Sequence, residues 1–138
     1  MTEASNEFFA TMYVFAERLR DDYETAAAAA DLTASQAIVI GLLSEPLPMG
    51  DLAAQRHCDP SNITGLVDRL EDKGLVARSP HPTDRRVKRV ELTPEGRRRL
   101  ARFHEELSRV SCLNDLTADQ RRRLLTSVPS LEPETTDR

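Results

Sequence analysis

Apolar residues recur at helical spacing along most of the chain and bunch into two short strand-like runs in its middle. Phe8, Met12, Phe15, Leu19 and Tyr23 fall three or four positions apart, and residues 26–30 are all alanine. This predicts one long helix over 6–30, with an apolar stripe and a small-residue end that permits close packing. Thr33 with Gln36 forms a capping box ahead of Ala37, Ile38, Ile40, Leu42 and Leu43, which predicts a second helix, apolar enough to be buried. Glu45-Pro46-Leu47-Pro48 ends it. Leu52-Ala53-Ala54 begins a short helix that breaks over 55–58.

Asp59-Pro60 then reads as an N-cap followed by proline at the first helical position. Ile63, Leu66, Val67 and Leu70 keep the helical period, and Gly74 stands where a left-handed cap ends the helix. The runs 75–78 and 87–92 read as paired strands. The loop between them is too long for a two-residue turn and carries Pro80 and Pro82, so the hairpin projects. Thr93-Pro94 opens a helix to about Ser111, with Leu100, Phe103, Leu107 and Val110 on one face. Thr117 with Gln120 opens a last helix carrying Leu124, Leu125 and Val128. Residues 129–138 are polar and are expected to fray.

Composition sets bounds on this picture. The chain has 138 residues, 39% hydrophobic and 30% charged, as expected for one globular domain. It carries no apolar run long enough to span a bilayer and no basic-then-apolar leader, which predicts a cytoplasmic protein without a membrane partner. Net charge is −4, but it is unevenly spread. Residues 76–102 hold nine basic and three acidic side chains, a net of +6, whereas residues 1–31 hold two basic and seven acidic, a net of −5. Phosphate is neutralised locally, so an acidic far side beyond a Debye length of ~8–10 Å does not oppose nucleic-acid binding.

The polar residues sharpen the expectation. Opposite the apolar stripe of 60–73 lie Ser61, Thr64, Gly65, Asp68 and Arg69, with Asn62 on the flank. Short polar side chains let a helix enter a major groove, where Ser, Thr and Asn meet base edges. Taken alone, the helix reads better as an ordinary amphipathic surface helix. Its neighbours change the weighting, because helix, tight turn, helix is a DNA-binding unit, and the hairpin brings arginines that suit a narrow minor groove. Asp84 beside Arg85 and Arg86 is also compatible with a plain local ion pair. Asp68 and Asp72 would repel phosphate, and Asp68 is expected to pair with a nearby arginine.

An ordered series of fragments resembles the MarR family of winged helix-turn-helix regulators. It runs from Asp51-Leu52-Ala53 through Ser61-Asn62-Ile63-Thr64-Gly65-Leu66-Val67-Asp68-Arg69-Leu70-Glu71 and Lys73-Gly74-Leu75-Val76-Ala77-Arg78, then Asp84-Arg85-Arg86, to Leu92-Thr93-Pro94-Glu95-Gly96. The Asp-x-Arg and Leu-Thr-x-x-Gly parts are the most specific. The resemblance implies a mainly α fold with a small β-hairpin wing: a winged helix-turn-helix over about 33–99, flanked by dimerisation helices over about 6–30 and 94–128. It implies that Ser61, Asn62, Thr64 and Gly65 face the major groove, with Arg69 on the same exposed face. Arg86 would reach the minor groove, Asp84 would orient it, and Arg78 and Arg85 would contact phosphate.

The resemblance further implies a homodimer on a pseudo-palindromic double-stranded operator, with half-sites ~34–36 Å apart. It implies a repressor released by a small aromatic or hydrophobic effector, for which Phe9, Met12, Tyr13 and Phe103 are the candidate lining; the same residues at helical spacing also suit a core. A cysteine-based redox sensor is an alternative. Cys58, just ahead of a helix N-terminus, is its candidate, while Cys112 and Cys58 otherwise read as unpaired thiols of a reducing compartment. A winged-helix protein-interaction module without a DNA site is the other alternative, and it would be expected to expose apolar rather than polar residues. His57, His81 and His104 lie in separate elements, no close-spaced metal-ligand pair occurs, and no phosphate loop, nucleophile elbow or zincin motif is present. No enzyme activity, cofactor or metal is therefore expected.

Overall fold

The structure, a computed structural model, describes residues 2–56 and 60–128. The Asp59 cap, His57, Cys58 and the tail 129–138 lie outside the described residues. Helix α1 spans Glu3–Ala29, with Thr2 accepting the Ser5 N–H at its start. Helix α2, Ala34–Gly41, carries both halves of the Thr33–Gln36 capping box. Strand β1 is Leu47–Pro48, α3 is Met49–Arg56, and α4 is Pro60–Asp72. Strands β2 (Val76–Pro80) and β3 (Lys88–Leu92) form the hairpin, α5 covers Pro94–Val110, and α6 covers Ala118–Ser127.

The expected hairpin is part of a three-stranded antiparallel sheet in the order β1-β3-β2. Leu47 pairs with Val90, Pro48 with Arg89, and β2 pairs with β3 from Val76↔Leu92 to Pro80↔Lys88. Residues 45–48, expected only to end α2, contribute Leu47 and Pro48 to an edge strand. Proline lacks the N–H that a central strand would need, and both Pro48 and Pro80 lie on the outer strands.

The core runs through the middle of the molecule. Ala26, Ala27 and Ala30 of the alanine run are fully buried, and α1 and α5 pack along one another. Ile40 of α2, Leu52 of α3, Val90 of β3 and Phe103 of α5 join the same cluster as Ile63, Val67 and Leu70 of α4. These last three are sealed from solvent. At ~1.5–3 kcal/mol per buried aliphatic side chain, exposing all three would cost roughly 5–9 kcal/mol. That energy fixes the rotation of α4 and so decides which of its residues face outward.

The Leu-Thr-x-x-Gly motif is a joint. Gly74 has φ +73° and ends α4 in the left-handed region. Thr93 donates its hydroxyl to the Gly74 carbonyl at 2.6 Å and its N–H to the Leu75 carbonyl at 3.1 Å. The same hydroxyl caps α5 by accepting the Gly96 N–H at 3.0 Å. A Cβ on Gly96 would stand 2.0 Å from the Leu75 carbonyl oxygen, so this position admits only glycine without rearrangement. The end of α4, the root of the hairpin and the start of α5 are thereby fastened together.

Candidate nucleic-acid interface

With its apolar face buried, α4 presents Ser61, Asn62, Thr64, Asp68 and Arg69 to solvent, while Gly65 is half-buried. A Cβ at Gly65 would meet nothing within 4 Å, so this glycine leaves an open notch on the outer face. At the hairpin tip, the Asp84 carbonyl accepts the Val87 N–H at 3.0 Å and its carboxylate accepts the Arg86 N–H at 3.1 Å. These are the bonds of a β-turn reinforced by an aspartate side chain. The His81 N–H closes the loop on the Val87 carbonyl at 2.8 Å, and His81 Nδ1 accepts the Thr83 N–H at 3.2 Å.

Asp84 therefore shapes the tip through the backbone first. Its ion pair with Arg86 Nε is long, 3.4 Å, and the Arg86 side chain is 94% exposed. A pair so solvated holds little energy, which leaves the guanidinium available to an outside partner. Arg85 is exposed beside it.

Arg78 is placed differently from the expectation. Its guanidinium bridges two carboxylates on α4, donating Nη2 to Asp68 and Nη1 to Glu71 at 3.1 Å. The hydrogen bond it donates to Asp68 is the main reason its pKa is raised, with Glu71 adding to it against the cost of partial burial. The arginine partner expected for Asp68 is thus Arg78. The residue expected to contact phosphate is a brace between strand and helix, and its single charge offsets part of the acidic edge that would repel phosphate. Glu71 belongs to this brace and was not singled out in the sequence, because its partner is reached only once the hairpin folds back.

The four residues expected to line an effector pocket do not form one within this chain. Phe103 is buried edge-on against Tyr23, ring centroids 5.5 Å apart. Phe9, Met12 and Tyr13 lie on the exposed N-terminal half of α1, ten or more residues from Tyr23 and hence roughly 15–20 Å up the helix axis at ~1.5 Å per residue. Helical spacing puts Met12 and Tyr23 on one stripe of α1 but does not say how far along that helix the rest of the fold extends. A groove of about 580 Å³ lies instead where α1, α2 and α3 meet. Leu19, Tyr23, Ala34 and Ile38 give it an apolar floor, and Arg20, Glu24 and Arg56 give it charge. Glu24 accepts from Arg20 Nε at 3.2 Å.

Cys112, between α5 and α6, is held at α1. Its N–H donates to Asp22 at 2.7 Å, and Arg18 Nε donates to the same carboxylate at 3.1 Å. Burial raises the Cys112 pKa, and the adjacent Asp22 raises it further, the opposite of what a reactive thiolate needs. Among the described residues no cluster of three histidine, cysteine, aspartate or glutamate side chains could hold a metal, and no helix is long and apolar enough to cross a membrane.

Residues 43–88 match the MarR family model. The chain is 37% identical over 100 residues to a transcriptional activatory protein, BadR, of Rhodopseudomonas palustris, covering 69% of this chain and 57% of that protein. It is 37% identical over 67 residues to the transcriptional repressor MdtR of Bacillus subtilis, covering 47% of this chain and 43% of that one. The matches thus span about half the length of these curated relatives. The fold resembles that of Sco3205, a MarR family regulator from Streptomyces coelicolor solved in complex with DNA, with a TM-score of 0.77, 24% identity, and coverage of 91% of this chain and 84% of that one.

Proposed function

Because the chain belongs to the MarR family, we propose that it is a sequence-specific, double-stranded-DNA-binding transcriptional regulator of the cytoplasm. The observation that carries this reading is the pairing of two exposed polar elements on one buttressed module. Helix α4 turns Ser61, Asn62, Thr64 and Arg69 outward because Ile63, Val67 and Leu70 are buried, and the Asp84 turn holds out Arg86. The first set suits base edges in a major groove and the second the negative potential of a minor groove. Arg85 supplies phosphate contact, and Arg78 contributes by bracing α4. A protein-docking winged helix would show apolar residues on these surfaces.

The working unit in this reading is a homodimer on a pseudo-palindromic operator. Phe8, Phe9, Met12, Tyr13 and Val14 of α1, with Leu124, Leu125 and Val128 at the other end of the chain, are exposed. Apolar side chains gathered like this are costly on a monomer and mark a partner surface. The dimer acts as a repressor, as the relative MdtR is named to be, and is released by a small aromatic or hydrophobic effector. The groove between α1, α2 and α3 is the candidate site, its apolar floor of Leu19, Tyr23 and Ile38 suiting a ring.

A gel-shift of the purified protein against DNA upstream of its own coding region, over a series of salt concentrations, tests the proposal. Saturable binding that survives competitor DNA supports it; a shift abolished by competitor counts against it. Adding benzoate or salicylate to the bound complex tests release.

A further inference from the structure

Four helices, α1, α2, α4 and α5, come together at the turn that joins α1 to α2. Asp31 takes φ +56° there, a left-handed conformation that a non-glycine residue holds only when its surroundings fix it. Two cations do so from distant parts of the chain. Lys73, the residue after α4, donates Nζ to the Asp31 carbonyl at 3.2 Å and to Gln36 Oε1 at 3.4 Å. Arg99, in the second turn of α5, donates Nη1 to the carbonyls of Ala30 and Asp31 and to the Asp31 carboxylate, each at 3.3 Å. Its Nη2 is held by Glu95 at 3.3 Å. Both cations sit at the negative end of the α1 macrodipole, where positive charge is favoured. Gln36 is buried, and its side-chain oxygen also accepts the Thr33 N–H that starts α2.

We infer that Lys73 and Arg99 are positioning residues that set the angle of α4 relative to α1. The inference rests on reading α4 as the recognition helix. Neither side chain is required to touch DNA; they act by tying the C-terminal end of α4 and the start of α5 to the end of the long helix. In a two-fold dimer joined through α1, that angle sets the separation of the two α4 helices. Thirteen residues of α4 make a lever of ~20 Å, so a rotation of about 10° moves its N-terminal end by ~3.5 Å, one base-pair step. The bonds of the node are long and partly exposed, so removing them leaves the buried core of α4 in place and loosens its angle.

The test uses the full chain with Lys73→Met, Arg99→Met, the double variant, and the conservative Lys73→Arg and Arg99→Lys. The probe is a duplex selected from a random pool by the unmodified protein, remade with one base pair added or removed between half-sites. The unmodified protein is expected to lose about tenfold in affinity on either change, because half-site spacing is a geometric match. The double variant is expected to lose less than about threefold, with the salt slope unchanged and the conservative variants restoring discrimination. An unaltered spacing penalty overturns the inference. So does a salt slope that falls by about 1 per cation removed, since that identifies phosphate contacts. Amide exchange provides a DNA-free arm: α4 is expected to exchange at least about threefold faster in the double variant. If no duplex is selected, the DNA reading fails, and unchanged exchange of residues 60–72 then overturns the positioning role separately.

Discussion

Gly96→Ala is expected to destabilise the protein by about 2–4 kcal/mol, although alanine is the better helix former. A Cβ at this position would lie 2.0 Å from the Leu75 carbonyl oxygen, 3.0 Å from its carbon and 3.2 Å from Leu92 Cδ2. The oxygen is backbone and is engaged by the Thr93 N–H, so relief requires α5 to move off the root of β2. Overpacking of this kind costs roughly 1–3 kcal/mol. The movement also strains the Thr93 bond to Leu75 and the Thr93 cap on Gly96, each worth about 1 kcal/mol. The gain in helix propensity offsets about 1 kcal/mol.

Gly65→Ala is the matched control. It lies inside α4 with nothing within 4 Å of the added carbon, so propensity alone should act, for a gain of up to about 1 kcal/mol. Urea melts of both variants give the comparison, read as shifts in midpoint at constant m-value. If Gly96→Ala equals or exceeds the unmodified protein in stability, the joint is not where the structure places it.

Other consequences follow from the same contacts. Arg86→Ala should weaken duplex binding and lower the salt slope by about 1 without shifting the melting midpoint, as fluorescence anisotropy and thermal melts would show; an unchanged slope would remove the wing from the interface. Arg78→Ala should cost less than about 1 kcal/mol in a urea melt, because its carboxylate partners are about half exposed. It should nonetheless weaken DNA binding by leaving Asp68 and Glu71 unneutralised, and equal affinity for both proteins would refute the brace. The Cys112 N–H is the main cause that holds the Asp22 pKa below the ordinary carboxylate value, and Arg18 assists. The stability this adds is present above the unfolded-state pKa and is lost as pH falls through the lowered folded-state value. The gap between the unmodified protein and Asp22→Asn should therefore shrink on acidification, and a gap independent of pH in melts would contradict the assignment. In a Cys58→Ser background, Cys112 should react with a disulfide reagent at least about tenfold more slowly when folded than when unfolded; equal rates would contradict the shielding of the thiol by burial and by Asp22.

The helices were legible in the sequence where period and punctuation agreed. Helix α4 has both a clean apolar stripe and proline and glycine at its ends, and the capping boxes at Thr33 and Thr117 mark the starts of α2 and α6. Strand β1 was not legible, since two residues form a strand only by pairing with β3, more than forty positions away. Partners across the fold were equally hidden. Arg78 read as an exposed strand cation, and only the hairpin's return beside α4 gives it Asp68 and Glu71. The lining of the α1–α2–α3 groove was missed for a related reason: Arg20 and Arg56 belong to the polar faces of separate helices, and no spacing rule joins them. Cys58 and its role lie outside the described residues.

The central claim is that α4 and the hairpin arginines together recognise a particular duplex. The most direct measurement is the ratio of affinities for a selected duplex and for unrelated DNA, taken at one physiological salt concentration with the protomer stoichiometry. The account predicts two protomers per duplex and a preference of about 10³-fold or more. A preference near unity, with binding that tracks salt alone, would contradict it.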